Sequence, residues 1–205
     1  MRMKKIITIS GLIGSGKDTA AELLVKHHGF TRIAFADSLK DAVAAVFGWD
    51  RHMLEGATPE SRQWREQVDP WWSERLSMPH LTPRWALQNI GTEVFRSNFH
   101  DDIWVASVER KILASTRSVV ITDCRFPNEI RAVKRIGGLT ARIYRGADPP
   151  WLELAQTDMG EFRRQYPHVH ASEYSSVNLA YDHYINNNGS IVELHAQLRE
   201  MLRTH

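Results

Sequence analysis

The chain has little cysteine: Cys124 stands alone among 205 residues. No internal disulfide can form, and such usage fits a reducing compartment. Long apolar runs are also missing. None approaches the roughly 18 residues a membrane helix needs, so no membrane partner is expected. The basic amino terminus leads into Ile6-Ile7-Thr8-Ile9, which is too short for the core of a secretion signal. A cytoplasmic location is the expectation. There is little excess charge of either sign. Lys and Arg number 26 against 24 Asp and Glu, leaving +2 with histidines neutral. That balance gives no support to a nucleic-acid partner. Internal repeats and low-complexity tracts are absent. Apolar residues, by contrast, are plentiful at 42%, enough for a packed core. The length suits one domain, 1–205, with a small insert.

The most informative stretch is Ile9-Ser10-Gly11-Leu12-Ile13-Gly14-Ser15-Gly16-Lys17-Asp18-Thr19. It follows an apolar run, Lys4 to Ser10, that reads as a buried strand. It precedes Ala20 to His28, which reads as a helix stopped by Gly29. Gly11, Gly14 and Gly16 let the backbone turn and bring its N–H groups close to an anion. The helix start adds its positive dipole end. Lys17 adds a mobile charge for terminal phosphates. Gly11, Gly14, Ser15, Gly16, Lys17, Asp18 and Thr19 are therefore expected to cradle a nucleotide's phosphates, as in the phosphate-binding loop G-x-x-x-x-G-K. One position departs from that pattern. Asp18 stands where Ser or Thr normally binds magnesium, and Thr19 follows.

The rest of the chain alternates strand and helix. Thr31 to Phe35 reads as a second strand. A helix with Asp37 as its cap follows and stops at Gly48. Ser118 to Thr122, Leu139 to Tyr144 and Asp182 to Asn186 read as three more strands. Ser190 with Glu193 makes a capping box ahead of a last helix. The expected class is α/β: a three-layer fold with a five-stranded parallel sheet flanked by helices. Residues just past strand ends face ligands in such sheets. That singles out Asp37, Lys40 and Asp123, the last resembling a magnesium-holding carboxylate after an apolar strand. Arg125, Pro127 and Glu129 open the helix beyond it.

Two stretches break the rhythm. Residues 49–81 carry Trp64, Trp71 and Trp72 among Arg51, Arg62, Arg65 and Arg75, and read as an inserted lobe suited to a flat base and its phosphate. Residues 146–176 hold Pro149-Pro150, a polar stretch and Arg163-Arg164, and read as a lid. Lids exclude water from phosphoryl transfer, and either arginine could stabilise the transferred group. His168 and His170 find no third partner at metal-ligand spacing. Between these stretches Thr82-Pro83 starts a helix on which Arg84, Gln88, Gly91 and Thr92 share one face, beside an apolar face of Leu87, Ile90 and Val94. Glu93 borders the same surface. A mid-helix glycine implies a packing or binding reason.

Several motifs together resemble one family. They are Gly14-Ser15-Gly16-Lys17-Asp18-Thr19, Phe35-Ala36-Asp37-Ser38-Leu39-Lys40-Asp41 and Leu87-Gln88-Asn89-Ile90-Gly91-Thr92-Glu93. Asn98-Phe99-His100-Asp101-Asp102-Ile103-Trp104-Val105, Asp123-Cys124-Arg125-Phe126-Pro127-Asn128-Glu129 and His170-Ala171-Ser172-Glu173 continue the order. The pattern resembles the phage-type deoxynucleoside monophosphate kinases, within the P-loop nucleoside monophosphate kinase group, where an Asp after the loop lysine is typical. The resemblance implies transfer of the ATP γ-phosphoryl group to a deoxynucleoside monophosphate, with magnesium (Mg2+). Lys17 would hold the β- and γ-phosphates, and Asp18, Thr19 or Asp123 the metal. Arg84 and Arg125 would hold the acceptor phosphate, and Gln88, Thr92 and Trp72 the sugar or base. The partners would be these small molecules, with a homodimer left open and a host cytoplasm as location if the source is viral. The alternatives are another P-loop small-molecule kinase, of the dephospho-coenzyme A or phosphomevalonate type, and a nucleotide-sensing regulatory ATPase.

Overall fold

The computed structural model describes residues 4–204, except for the side chains of Ala171 and Ser172. In chain order it contains β1 (Ile6–Ser10), α1 (Lys17–His28), β2 (Thr31–Ile33), α2 (Asp37–Phe47), α3 (Arg51–Glu55), α4 (Pro59–Glu66), α5 (Pro70–Leu76) and α6 (Pro83–Gln88). A π-helix (Asn89–Ser97) continues α6. After it come α7 (Ile103–Ala114), β3 (Val119–Ile121), α8 (Pro127–Arg135), β4 (Leu139–Tyr144), α9 (Pro150–Thr157), α10 (Met159–Gln165), α11 (Ala171–Tyr174), β5 (His183–Asn186) and α12 (Ile191–Arg203). The chain divides into two compact units. One comprises the residues up to Ala34 and from Arg110 onward; the other is Phe35–Glu109. The second unit is wider than the stretch 49–81 that the composition marks out.

The first unit is built on five parallel strands in the order β2-β3-β1-β4-β5. The central strands are short apolar runs because helices cover both faces of such a sheet. All five residues of β1 are buried. Ile7, Ile9, Ala141 and Ile143 meet Ala20, Ala21 and Leu24 of α1 and Leu194, Leu198 and Met201 of α12 in one core. Ser190 caps α12 by accepting from the Glu193 N–H, and Glu193 answers with its carboxylate, the capping box expected. Segment 146–176 is less polar than its sequence suggests. Leu152, Ala155 and Phe162 are buried with Val177, and Trp151, Leu154 and Tyr166 pack around them, giving α9 and α10 a small core of their own.

In the second unit, Thr58 and Thr82 cap α4 and α6, each followed by proline at the first position. Asp69 caps α5 and also accepts from the Trp49 indole N–H at 2.8 Å. Phe47, Trp49, Trp64, Trp71 and Trp72 form a chain of ring contacts. Two expectations are corrected here. Ala36 occupies the cap position of α2, and Asp37 is the first helical residue, 3.6 Å from Arg51. The α-helical face after Thr82 also changes at Asn89, where the helix widens to the π form. The wider turn breaks the 3.6-residue period, so Val94 is 48% exposed while Arg96 is buried. Gly91 answers a packing need. A Cβ there would lie 2.6 Å from Leu39 Cδ2, and its carbonyl accepts from Trp104 Nε1 at 2.9 Å.

Candidate active site

The loop after β1 closes on Gly16, which caps α1 at φ 97°, a left-handed conformation that suits glycine. A side chain at this position would also collide with Asn187, whose Nδ2 would sit 2.1 Å from the new Cβ. Asn187 follows β5 and donates from Nδ2 to the Ser15 carbonyl at 2.9 Å. Its neighbour Asn188 accepts from the Gly146 N–H at 2.7 Å. The turn Asn187-Asn188 therefore braces both the loop and the root of segment 146–176. Nothing in the sequence beyond a turn signal pointed to that role.

Two features of the loop suit a phosphate. Ser15 Oγ is buried without a hydrogen-bond partner, an uncommon and costly state that an acceptor oxygen would relieve. Lys17 Nζ folds back to donate to the Gly11 and Leu12 carbonyls at 2.8 and 2.7 Å. Burial, then the nearby Arg125 charge, pushes the Lys17 pKa down to about 8, against the pull of Asp18, Glu173 and Asp123. An ammonium held in that state gains most when an anion arrives.

The loop borders a cleft lined by Gly11, Leu12, Ile13 and Lys17 and, from later elements, by Cys124, Arg125, Arg142, Glu173 and Tyr181. Arg125 follows β3 and ion-pairs with Glu173 at 2.7 Å. Buried Glu129 fixes that turn, accepting from the Arg125 and Phe126 N–H groups at 2.7 and 3.1 Å. The thiol of Cys124 is pushed well up by burial, then by Glu129; it is no nucleophile in this state. The sequence reasoning missed Arg142. The signal was there: an arginine inside the otherwise uncharged strand Leu139–Tyr144.

The acids expected at magnesium lie at the start of α1 and just after β3. Among the described residues no three His, Cys, Asp or Glu side chains converge on a metal position. Magnesium needs less, taking one or two carboxylates together with substrate phosphates and water. Asp18 and Asp123 are both close enough to Lys17 to raise its pKa. They are hard oxygen donors, so the donor set fits. Asp18 is exposed and pairs with Arg32 at 2.6 Å, a surface contact worth little by itself. Thr19 is exposed beside it.

In the second unit, Asp37 and Lys40 lie one helical turn apart on α2 and join an ionic cluster. Lys40 pairs with Glu55, and Arg51 reaches Asp41 at 2.6 Å and Glu55 at 3.3 Å. Burial opposes ionisation of Glu55, but the hydrogen bond and charge of Lys40, with Arg51, hold its carboxyl below the usual range. Arg84 pairs with Glu66 at 3.2 Å and is 41% exposed. Gln88 ends α6, and Thr92 and Glu93 lie on the π-helix. Trp72 donates its indole N–H to the Phe47 carbonyl at 3.0 Å and meets Trp71 edge-on. In the segment 146–176, Arg163 and Arg164 are both exposed on α10, and Arg164 pairs with Glu161.

No family model matches the chain. A protein of Acanthamoeba polyphaga mimivirus, named provisionally as a deoxynucleotide monophosphate kinase, is 29% identical over 94% of this chain and 93% of its own. The deoxynucleoside-5'-monophosphate kinase of Escherichia phage T5 is 27% identical over 62% of this chain and 70% of its own. Among solved structures, TT1252 from Thermus thermophilus aligns at 18% identity and a TM-score of 0.49, covering 99% of this chain and 98% of that one. With its phosphate loop between β1 and α1 and its parallel five-stranded sheet, the chain has a P-loop kinase fold, and in sequence it resembles the viral deoxynucleoside monophosphate kinases.

Proposed function

We propose that this protein transfers the γ-phosphoryl group of ATP to a deoxynucleoside monophosphate, forming the diphosphate. One observation carries most weight. The loop holds a buried, partnerless Ser15 hydroxyl and a Lys17 whose pKa is lowered to about 8, on the wall of a cleft that Arg125 also lines. The relatives' names supply the acceptor class. In this reading the loop's N–H groups and Ser15 Oγ bind the ATP phosphates, and Lys17 leaves its carbonyl partners for the β- and γ-phosphates. Arg125, held in place through Glu129, neutralises charge on the group in transfer. Such a reaction needs mainly positioning and charge neutralisation. An acceptor phosphate oxygen is already anionic, so no general base is required.

Magnesium would be held by Asp123 with Asp18 or Thr19, and when bound it supplies charge neutralisation of the phosphates. Arg84, Gln88, Thr92 and Glu93, with Asp37, Lys40 and Trp72, all within Phe35–Glu109, are the residues that bind the acceptor. The segment 146–176 acts as the lid, bringing Arg163 or Arg164 to the transferred group and excluding water. The protein works in the cytoplasm, that of the host if the source is viral.

The test is incubation with Mg-ATP and a panel of ribo- and deoxynucleoside monophosphates, with dephospho-coenzyme A as a rival acceptor, following both ADP and the phosphorylated acceptor. At least one deoxynucleoside monophosphate is expected to be phosphorylated faster than ATP is hydrolysed alone. ATP hydrolysis indifferent to every nucleotide acceptor refutes the reading.

A further inference from the structure

Strand β4 alternates cleanly. Ala141 and Ile143 face the core formed with α1 and α12, so the period of two puts Arg142 on the opposite face. The register pairs Arg142 with Ser10, the last residue of β1 before the phosphate loop. Its half-buried side chain thus enters the cleft beside Gly11, Leu12 and Lys17.

Along the lining of the cleft, positive charge exceeds negative. Lys17, Arg125 and Arg142 line the cleft, and Glu173 is its only lining carboxylate. Glu173 is engaged by Arg125 at 2.7 Å. Asp182, near the start of β5, is engaged by the Thr140 hydroxyl at 2.7 Å and by Lys134 at 3.2 Å. Among the described residues no hydrogen bond or ion pair holds the Arg142 guanidinium. A partly buried arginine without a partner, next to two other cations, is unfavourable unless an anion joins them. The fork of a guanidinium matches two phosphate oxygens at once.

We propose that Arg142 is a phosphate-binding catalytic residue, reaching from the sheet itself to the γ-phosphoryl group opposite Lys17. The assignment to the γ-phosphoryl group rests on the kinase reading above. In the transfer, the bond from the γ-phosphorus to the β–γ bridging oxygen breaks and its electron pair stays with the ADP β-phosphate. A new bond forms to the acceptor's phosphate oxygen. Arg142 keeps its protons throughout and balances charge on the γ oxygens. Because it sits on a strand, it is in place before any segment closes. Arg164, by contrast, is 73% exposed on its helix.

The test uses the whole protein with Arg142→Met and Arg142→Lys. Two readouts are taken: kcat and KM for ATP and acceptor, and calorimetric binding of inorganic tripolyphosphate. Arg142→Met should lower kcat about 100-fold and weaken tripolyphosphate binding about tenfold. Arg142→Lys should recover part of both, because it restores charge without the fork. Wild-type kcat and tripolyphosphate affinity in both variants overturn the assignment. If Arg142→Met does not fold, Arg142→Lys decides alone: a kcat within about twofold of wild type, with unchanged tripolyphosphate affinity, overturns it. Failure of the kinase reading appears separately, as a wild-type protein that phosphorylates no nucleotide. The tripolyphosphate arm then still tests Arg142 as a phosphate ligand.

Discussion

Proton uptake should accompany phosphate binding. In the free protein, burial and Arg125 hold the Lys17 pKa at about 8 rather than 10.5. The ammonium is then roughly nine-tenths formed at pH 7, about half formed at pH 8 and about one-tenth formed at pH 9. A bound polyphosphate favours the charged form and returns the pKa towards its ordinary value. Affinity for ATP should therefore fall about tenfold between pH 7 and pH 9. Near pH 8 each binding event should take up about half a proton. Calorimetry in two buffers of different ionisation enthalpy measures both quantities. For folding the sign is also set. The folded pKa lies below the unfolded one, so the Lys17 ammonium opposes folding below about pH 8, and this opposition fades as pH rises towards the unfolded value. A flat affinity from pH 7 to 9 with no buffer-dependent heat would refute this account of Lys17.

Two further outcomes test the frame around the site. Gly91→Ala would place a Cβ 2.6 Å from Leu39 Cδ2. Overpacking of that size costs about 1–3 kcal/mol, less the roughly 1 kcal/mol that alanine returns in a helix. The net runs from about zero to about 2 kcal/mol of destabilisation, so the urea midpoint should not rise, and a raised one would sink the packing explanation. Asn187→Ala removes the 2.9 Å hydrogen bond to the Ser15 carbonyl, about 0.5–1.5 kcal/mol of support for the loop. ATP affinity should drop about three- to tenfold with the melting temperature little changed; unaltered affinity would mean that the loop holds its shape without the brace.

Local signals in the sequence carried far. The caps at Thr82 and Ser190 were legible because each acts within one helical turn of its own residue. The five strands were legible because short β-branched runs have few alternatives in a chain that alternates with helices. The phosphate loop was legible because its glycines and lysine are contiguous. Asp37 was misread for the complementary reason. As a cap it is a local guess, but Arg51, fourteen residues on, carries the charges that face it. The period after Thr82 failed at Asn89 because a π-turn answers to packing rather than to the residues it contains. The Gly91–Leu39 contact and the Trp104 hydrogen bond to Gly91 both lie far off in sequence.

By itself, then, the sequence determined the α/β class, the phosphate loop and the chemistry its residues offer. Backbone conformation and helix starts respond to neighbours in the chain. Only the tertiary structure decided which charges share a cleft. Lys17, Arg125, Glu173 and Arg142 come from four separate segments and line one cleft only once the chain has folded. The depressed Lys17 pKa, the unpartnered Ser15 hydroxyl and the Asn187 brace arise from the same assembly. Burial and electrostatics depend on distance through space, and no pattern along the chain records it.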